Sequence, residues 1–202
     1  TTQQLYHELQ HAIAPRILVD KTPSYAHSLD ILRMAETEFQ APLYLHLVRH
    51  PQAVIRSYEG VRFGQRNPLL HEFTLSSRTF AEWNWRIGHE NILEFLQEIP
   101  QERWHRLYFE ELVKGPQQTM EQICNFLGLD FHPAMLQPYR DPNQQMTQGI
   151  HALTTMAGDP KFHHHTGIDP AVADAWKDRE STIQVSPQTW AIAEKLGYAH
   201  TS

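Results

Sequence analysis

An apolar run, Leu43–Val48, ends abruptly in Arg49-His50-Pro51, and an amphipathic stretch follows it. Few local structures satisfy that order. A short apolar run bounded by a break at Pro42 reads as a buried strand. Proline at the first turn of a helix loses nothing, because its missing N–H has no intrahelical acceptor there. The order therefore predicts a strand over Leu43–Val48, a sharp exit at Arg49, and a helix over Pro51–Phe63. A strand that feeds a helix in this way belongs to a layered α/β arrangement. The first turn of such a helix carries free N–H groups and the positive end of the helix dipole, so Arg49 stands where an anion would be welcome. Ser57 lies eight residues beyond Arg49 and offers a hydroxyl to the same anion. Spacing alone is equally compatible with an ordinary strand–helix junction that carries a surface arginine.

The remaining chain repeats the alternation. Residues 2–13 read as a helix that Pro15 stops. Ile17–Val19 reads as a buried strand that opens into the polar loop Asp20–Tyr25. Helical patterns follow over Ala26–Phe39 and Phe80–Ile99, the second with Trp85, Ile92, Leu96 and Ile99 on one face. Arg103–Tyr108 is a third strand. Pro116–Leu127 is a helix with proline at its start and Gly128 just past its end. Residues 64–76 and 140–168 read as loops, and a last helix begins at Ser186-Pro187. Ligands in parallel α/β sheets bind at the carboxyl ends of strands, so Asp20–Tyr25 and Arg49–Pro51 are expected to converge on one crevice.

Composition narrows the function. The 202 residues suit one domain, and the formal net charge of −6 argues against a general nucleic-acid binder. A small anion needs only a local cluster, which Arg49, Arg56, Arg62 and Arg66 supply, with Glu59 the only acid between them. No apolar run approaches the roughly 20 residues that span a bilayer, and the N-terminus lacks a secretory pattern. Cys124 is the only cysteine, so no intrachain disulfide forms, and a cytoplasmic setting fits. Fourteen histidines are present, three of them consecutive at His163–His165. They raise the thought of a metal hydrolase, yet three adjacent histidines fit one tetrahedral ion poorly and no H-E-x-x-H motif completes a site. No metal is expected.

Arginine at a strand end, proline two residues on, and serine eight residues after the arginine resemble the 3′-phosphate-binding motif of the sulfotransferases. Three further segments resemble the same family in the same order. They are LVDKTPSYA at Leu18–Ala26, LYFEELVKGPQQTMEQICNFLGL at Leu107–Leu129, and GDPKFHHHTGIDPAVADAWK at Gly158–Lys177. The last is similar to a late loop of sulfotransferase domains in modular polyketide synthases. The resemblance runs from about Leu18 to Tyr198.

What it implies is specific. The fold is a three-layer, P-loop-type α/β domain with a mainly parallel sheet. The activity is transfer of a sulfuryl group from 3′-phosphoadenosine-5′-phosphosulfate (PAPS) to a hydroxyl, such as the β-hydroxyl of an acyl chain tethered to a carrier protein. Neighbouring domains of a larger chain go with that setting, and no nucleic acid or membrane does. Arg49 and Ser57 grip the 3′-phosphate, and Lys161 adds charge to the nucleotide pocket. Lys21 neutralises charge near the bridging oxygen. His165, or else His163, takes the proton of the acceptor, with His27 and His50 as further candidates. Asp20, Tyr25 and Arg140 face the acceptor or the pocket. Trp83 and Trp85 have a stacking role or a packing role.

One departure stands out. The family's first motif, a phosphate loop of the form P-x-R-S-G-S/T-T, has no counterpart in this sequence. The chain thus resembles a domain that begins partway through, and by itself it is expected to bind PAPS poorly. A nucleotide kinase of related fold would need a Walker-type loop and a magnesium-binding acid, and neither is visible. A non-catalytic remnant that has lost its phosphate loop is the other alternative.

Overall fold

The computed structural model describes residues 1–61, 76–140, 166–177 and 183–199. They fall into two compact units, Thr1–Arg106 with Arg179–Ser202, and Leu107–Asp178.

The first unit opens with α1, Thr2–Ile13, which ends ahead of Pro15 as expected. The next residues depart from the sequence reading. Ile17, Leu18 and Val19 form no strand and are exposed, Val19 by 73%. A strand needs a ladder partner for its backbone, and here the side chain of Gln10 does that work. Its amide donates to the Arg16 carbonyl at 2.8 Å and its oxygen accepts the Leu18 N–H at 3.0 Å. Pro23 then starts a 3-10 turn, Pro23–His27, closed by the Ser28 N–H on the Tyr25 carbonyl. Ser28 is extended, so helix α2 runs from Leu29 to Glu38 rather than from Ala26.

Strand β1, Tyr44–Val48, sits where the apolar run predicts it. It is buried on one face only. His46 and Val48 point inward, and Leu43, Leu45 and Leu47 are exposed. Helix α3, Pro51–Val61, follows directly. Helix α4, Ser77–Phe95, starts three residues earlier than its apolar pattern suggests, because Ser76 caps it by accepting the Thr79 N–H at 3.1 Å. Ile99 lies beyond its end but stays in the core. β2, Trp104–Tyr108, pairs with β1 in a parallel two-stranded sheet.

Two apolar clusters fasten these elements to α4. Leu32 of α2 packs with Phe95, Leu96 and Ile99, and Leu29, Tyr44, Ile92 and Trp104 close over them. Ile55 of α3 packs with Ala81 and Ile183, beside Tyr58 and Val185. Helix α7, Pro187–Lys195, is capped by Ser186 as the sequence predicts. It is also tied to α4 by Glu82, whose carboxylate accepts from the Ser186 N–H at 2.7 Å and the Thr189 hydroxyl at 2.8 Å.

In the second unit, β2 leads into α5, Phe109–Lys114, and Gly115 separates it from α6, Pro116–Leu127. Gly128 ends α6 in the left-handed conformation, φ 66°, which is the role its position in the sequence assigns. Val113, Ile123, Cys124 and Ala173 are buried. Asp174 pairs with Lys114 at 2.5 Å and Lys177 at 2.7 Å, and their hydrogen bonds hold its pKa down at about 2.

One polar knot fixes the approach to β1. Arg103 grips both oxygens of Glu36, at 2.7 and 2.9 Å, and donates to the Pro42 carbonyl at 2.8 Å. Tyr44 adds its hydroxyl to Glu36 at 2.6 Å. Burial pushes the Glu36 pKa up, but the bonds from Arg103 and Tyr44 outweigh it and hold the pKa below normal. Arg103→Ala leaves a half-buried carboxylate and a carbonyl without their main donor. It should lower stability by about 2 kcal/mol in urea denaturation, with the slope unchanged.

Candidate active site

Arg49 is the first residue past β1 and is half-buried. The carbonyl of His50 accepts the Val54 N–H at 3.1 Å, so His50 caps α3 and the helix begins at Pro51. The first-turn N–H groups of α3 and the guanidinium of Arg49 thus leave the chain within three residues of each other. Ser57 follows His50 by seven residues, which is two helical turns, so the two share a face to within about 20°. Its side chain is half-buried. A guanidinium beside a helix N-terminus has the chemistry of an anion cradle, and the Ser57 hydroxyl lies about 9 Å further along the helix axis.

The cradle is held in place from several sides. His50 is buried, with the rings of Trp190 and Tyr198 edge-on to it at 5.7 and 5.1 Å. Gln52 is buried and donates to the Ile183 carbonyl at 2.7 Å, and its own oxygen is buried with no hydrogen-bond partner among the described residues. Trp85 donates its indole N–H to the Arg49 carbonyl at 2.9 Å. Of the two tryptophans that the sequence offered, Trp85 is buried and Trp83 is exposed, beside His27 at 6.0 Å.

A histidine pair lies behind this junction. His46 Nε2 and His89 Nδ1 are 2.9 Å apart. Arg106 reaches His46 Nδ1 through its Nε at 3.4 Å. Arginine only donates, so His46 Nδ1 is the acceptor, its Nε2 carries the proton, and His89 Nδ1 receives that hydrogen bond. Burial pushes the His46 pKa down to about 3, and the neighbouring His89 and Arg106 push the same way. Burial, then Arg106, takes His89 down to about 4. Both rings are neutral at physiological pH. Sequence reasoning missed this pair, because an apolar strand with one histidine and a helix with another give no sign that the two rings meet.

The Asp20–Tyr25 loop is organised differently from the expectation. The Asp20 carboxylate accepts from the hydroxyls of Thr22 at 2.5 Å, Tyr6 at 2.7 Å and Tyr25 at 3.2 Å. The Thr22 bond leads in holding its pKa down, against a contribution from burial. The same carboxylate raises the Tyr6 pKa to about 12. Asp20 and Tyr25 are thus engaged with each other, and Lys21 beside them is exposed. The loop and the Arg49 junction do not lie at the ends of two adjacent strands, since Ile17–Val19 is not a strand. They meet the same helix instead. His27 lies against Trp83 and the Arg49 carbonyl against Trp85, two residues along α4. Arg140 is exposed in the second unit, near Gln137 at 3.4 Å. His163, His165 and Lys161 lie outside the described residues.

Residues 1–133 match the model of a sulfotransferase family. That is well over half of the chain. It belongs to the sulfotransferase family. The sulfotransferase domain from the curacin biosynthetic pathway is 40% identical, with a TM-score of 0.85 over 98% of this chain and 68% of that one. The sulfotransferase domain from the Synechococcus PCC 7002 olefin synthase is 33% identical, with a TM-score of 0.81 over 98% of this chain and 65% of that one. The chain spans about two thirds of the length of each. No curated protein sequence matches it. The likeness confirms the α/β sulfotransferase fold read from the sequence. No helix among the described residues is long and apolar enough to cross a membrane.

The neutral histidine pair gives this sulfotransferase domain a signature in acid. The unfolded chain binds a proton at each histidine near pH 6.5, and the folded chain does so only near pH 3 to 4. Between those values the unfolded state holds more protons, so stability falls as pH falls. The double variant His46→Leu/His89→Leu should flatten the loss of stability between pH 6.5 and 4.5, followed by urea midpoints. An unchanged slope would mean that the pair is not neutral in the fold.

Proposed function

We propose that this chain carries the 3′-phosphate half of a PAPS-dependent sulfotransferase that acts on a hydroxyl acceptor. The observation that carries the reading is the Arg49 junction: a guanidinium and a helix N-terminus at the end of a parallel strand, with Ser57 on the capping face, in a chain of the sulfotransferase family. PAPS, when bound, supplies the sulfuryl group and a good leaving oxygen.

The residues of the chain then divide the work. Arg49 and Ser57 donate to the 3′-phosphate, and the first turn of α3 adds its N–H groups and dipole. Lys21, exposed on the loop after α1, supplies positive charge toward the oxygen on which negative charge collects. A histidine of the His163–His165 run, His165 ahead of His163, takes the proton of the acceptor hydroxyl. Lys161 and Arg140 contribute charge to the nucleotide pocket. Asp20 and Tyr25 shape the loop that presents Lys21, through the hydroxyl cluster around the Asp20 carboxylate.

The acceptor we favour is the β-hydroxyl of an acyl chain on a carrier protein. Its support is the 40% identity to the curacin-pathway domain, together with the Gly158–Lys177 segment that resembles the late loop of polyketide-type domains.

The complete domain, incubated with PAPS and a β-hydroxyacyl carrier protein, should yield the sulfated acyl chain by mass spectrometry. Arg49→Ala in the same domain should weaken PAPS binding by about 2 to 3 kcal/mol, the size of a lost charge-assisted pair. Unchanged affinity would remove Arg49 from the nucleotide site.

A further inference from the structure

Trp85 and His89 stand one turn apart on α4, and both reach β1. His89 meets His46 inside the strand at 2.9 Å. Trp85 meets the carbonyl of Arg49, one residue past the strand's end, at 2.9 Å. The Trp85 and His89 rings pack edge to face with centroids 4.5 Å apart, so each fixes the other's orientation. The end of β1 and the residue after it are thereby clamped at two points, three residues apart in sequence.

The second point has a particular consequence. The Arg49 carbonyl belongs to the peptide plane that joins Arg49 to His50, the cap of α3. Holding that oxygen sets the backbone torsion between the Cα that bears the guanidinium and the plane that leads into the helix. Rotation there would change the direction of the Arg49 side chain relative to the first turn of α3. An indole nitrogen only donates, and it is the polar atom of a side chain that is 4% exposed.

We infer that Trp85 is a positioning residue for the anion cradle: its N–H bond to the Arg49 carbonyl keeps the guanidinium and the N-terminus of α3 aimed at one phosphate. The inference rests on the reading of Arg49 as the 3′-phosphate ligand, and the test separates the two.

Trp85→Phe in the complete domain keeps an aromatic ring beside His89, removes the donor and leaves a small cavity whose effect both nucleotides share. Calorimetry then compares two nucleotides, adenosine 3′,5′-bisphosphate and adenosine 5′-monophosphate, which lacks the 3′-phosphate. The expected result is a loss of about fivefold to tenfold in affinity for the bisphosphate, with the monophosphate within about twofold of wild type. A purely structural tryptophan would weaken both nucleotides alike, and that outcome, or no change in either, overturns the inference. Arg49→Ala is measured alongside. If it loses the bisphosphate selectively and Trp85→Phe does not, the clamp is wrong and the phosphate reading stands. If Arg49→Ala shows no selectivity, both fall. Should Trp85→Phe not fold, His89→Leu takes away the indole's ring partner and is held to the same two-nucleotide comparison.

Discussion

The hydrogen bond from the Trp85 indole to the Arg49 carbonyl joins the two halves of the architecture that matter here, the sheet and the long helix behind it. Helix α4 works as a spine. Several polar residues on it hold other segments of the chain. Glu82 holds the start of α7, Trp85 the end of β1, His89 the middle of β1, and Asn91 the Ala26 carbonyl at 2.8 Å. Gly88 lies between them, and a Cβ there would meet the Ala26 Cβ at 3.6 Å, so the 3-10 turn approaches the helix closely at this level. Apolar packing at Ile55 with Ala81, and at Leu32 with Phe95, supplies the bulk attraction. The polar contacts choose the register.

Electrostatics at the junction are arranged around one sign. Arg49 and the N-terminus of α3 present positive charge at the exit of the strand, and Arg106 adds another guanidinium beside His46 on the neighbouring strand. Charged imidazoles behind them would compete with the clamp. Burial keeps His46 and His89 neutral, and neutrality allows one ring to donate and the other to accept. A buried hydrogen bond between neutral groups avoids the desolvation that an ion pair would suffer in the same place.

Much of this was legible in the chain. The Arg49-His50-Pro51 sequence marked the strand exit and the helix start, and both stand where the proline put them. Pro116 with Gly128 and Ser186 with Pro187 marked helix ends by the same local chemistry. The failures have a common origin. Ile17–Val19 has the composition of a strand, but a strand exists only through its ladder, and the Gln10 side chain satisfies that backbone instead. Ser28 interrupts a run that looks helical, because Pro23 commits the preceding residues to a tighter turn. The partners of Asp20 were equally hidden: three hydroxyls, one of them from Tyr6 on α1, donate to its carboxylate. Long-range polar contacts of this kind, such as Trp85 with Arg49 and His46 with His89, leave no periodicity in a sequence.

The central claim is that the β1–α3 junction holds the 3′-phosphate of the nucleotide donor. A crystal structure of the complete domain with adenosine 3′,5′-bisphosphate tests it directly. The account predicts the 3′-phosphate within hydrogen-bond distance of the Arg49 guanidinium and the Ser57 hydroxyl, with the Trp85 bond to the Arg49 carbonyl intact. A nucleotide whose 3′-phosphate lies away from both residues would contradict it.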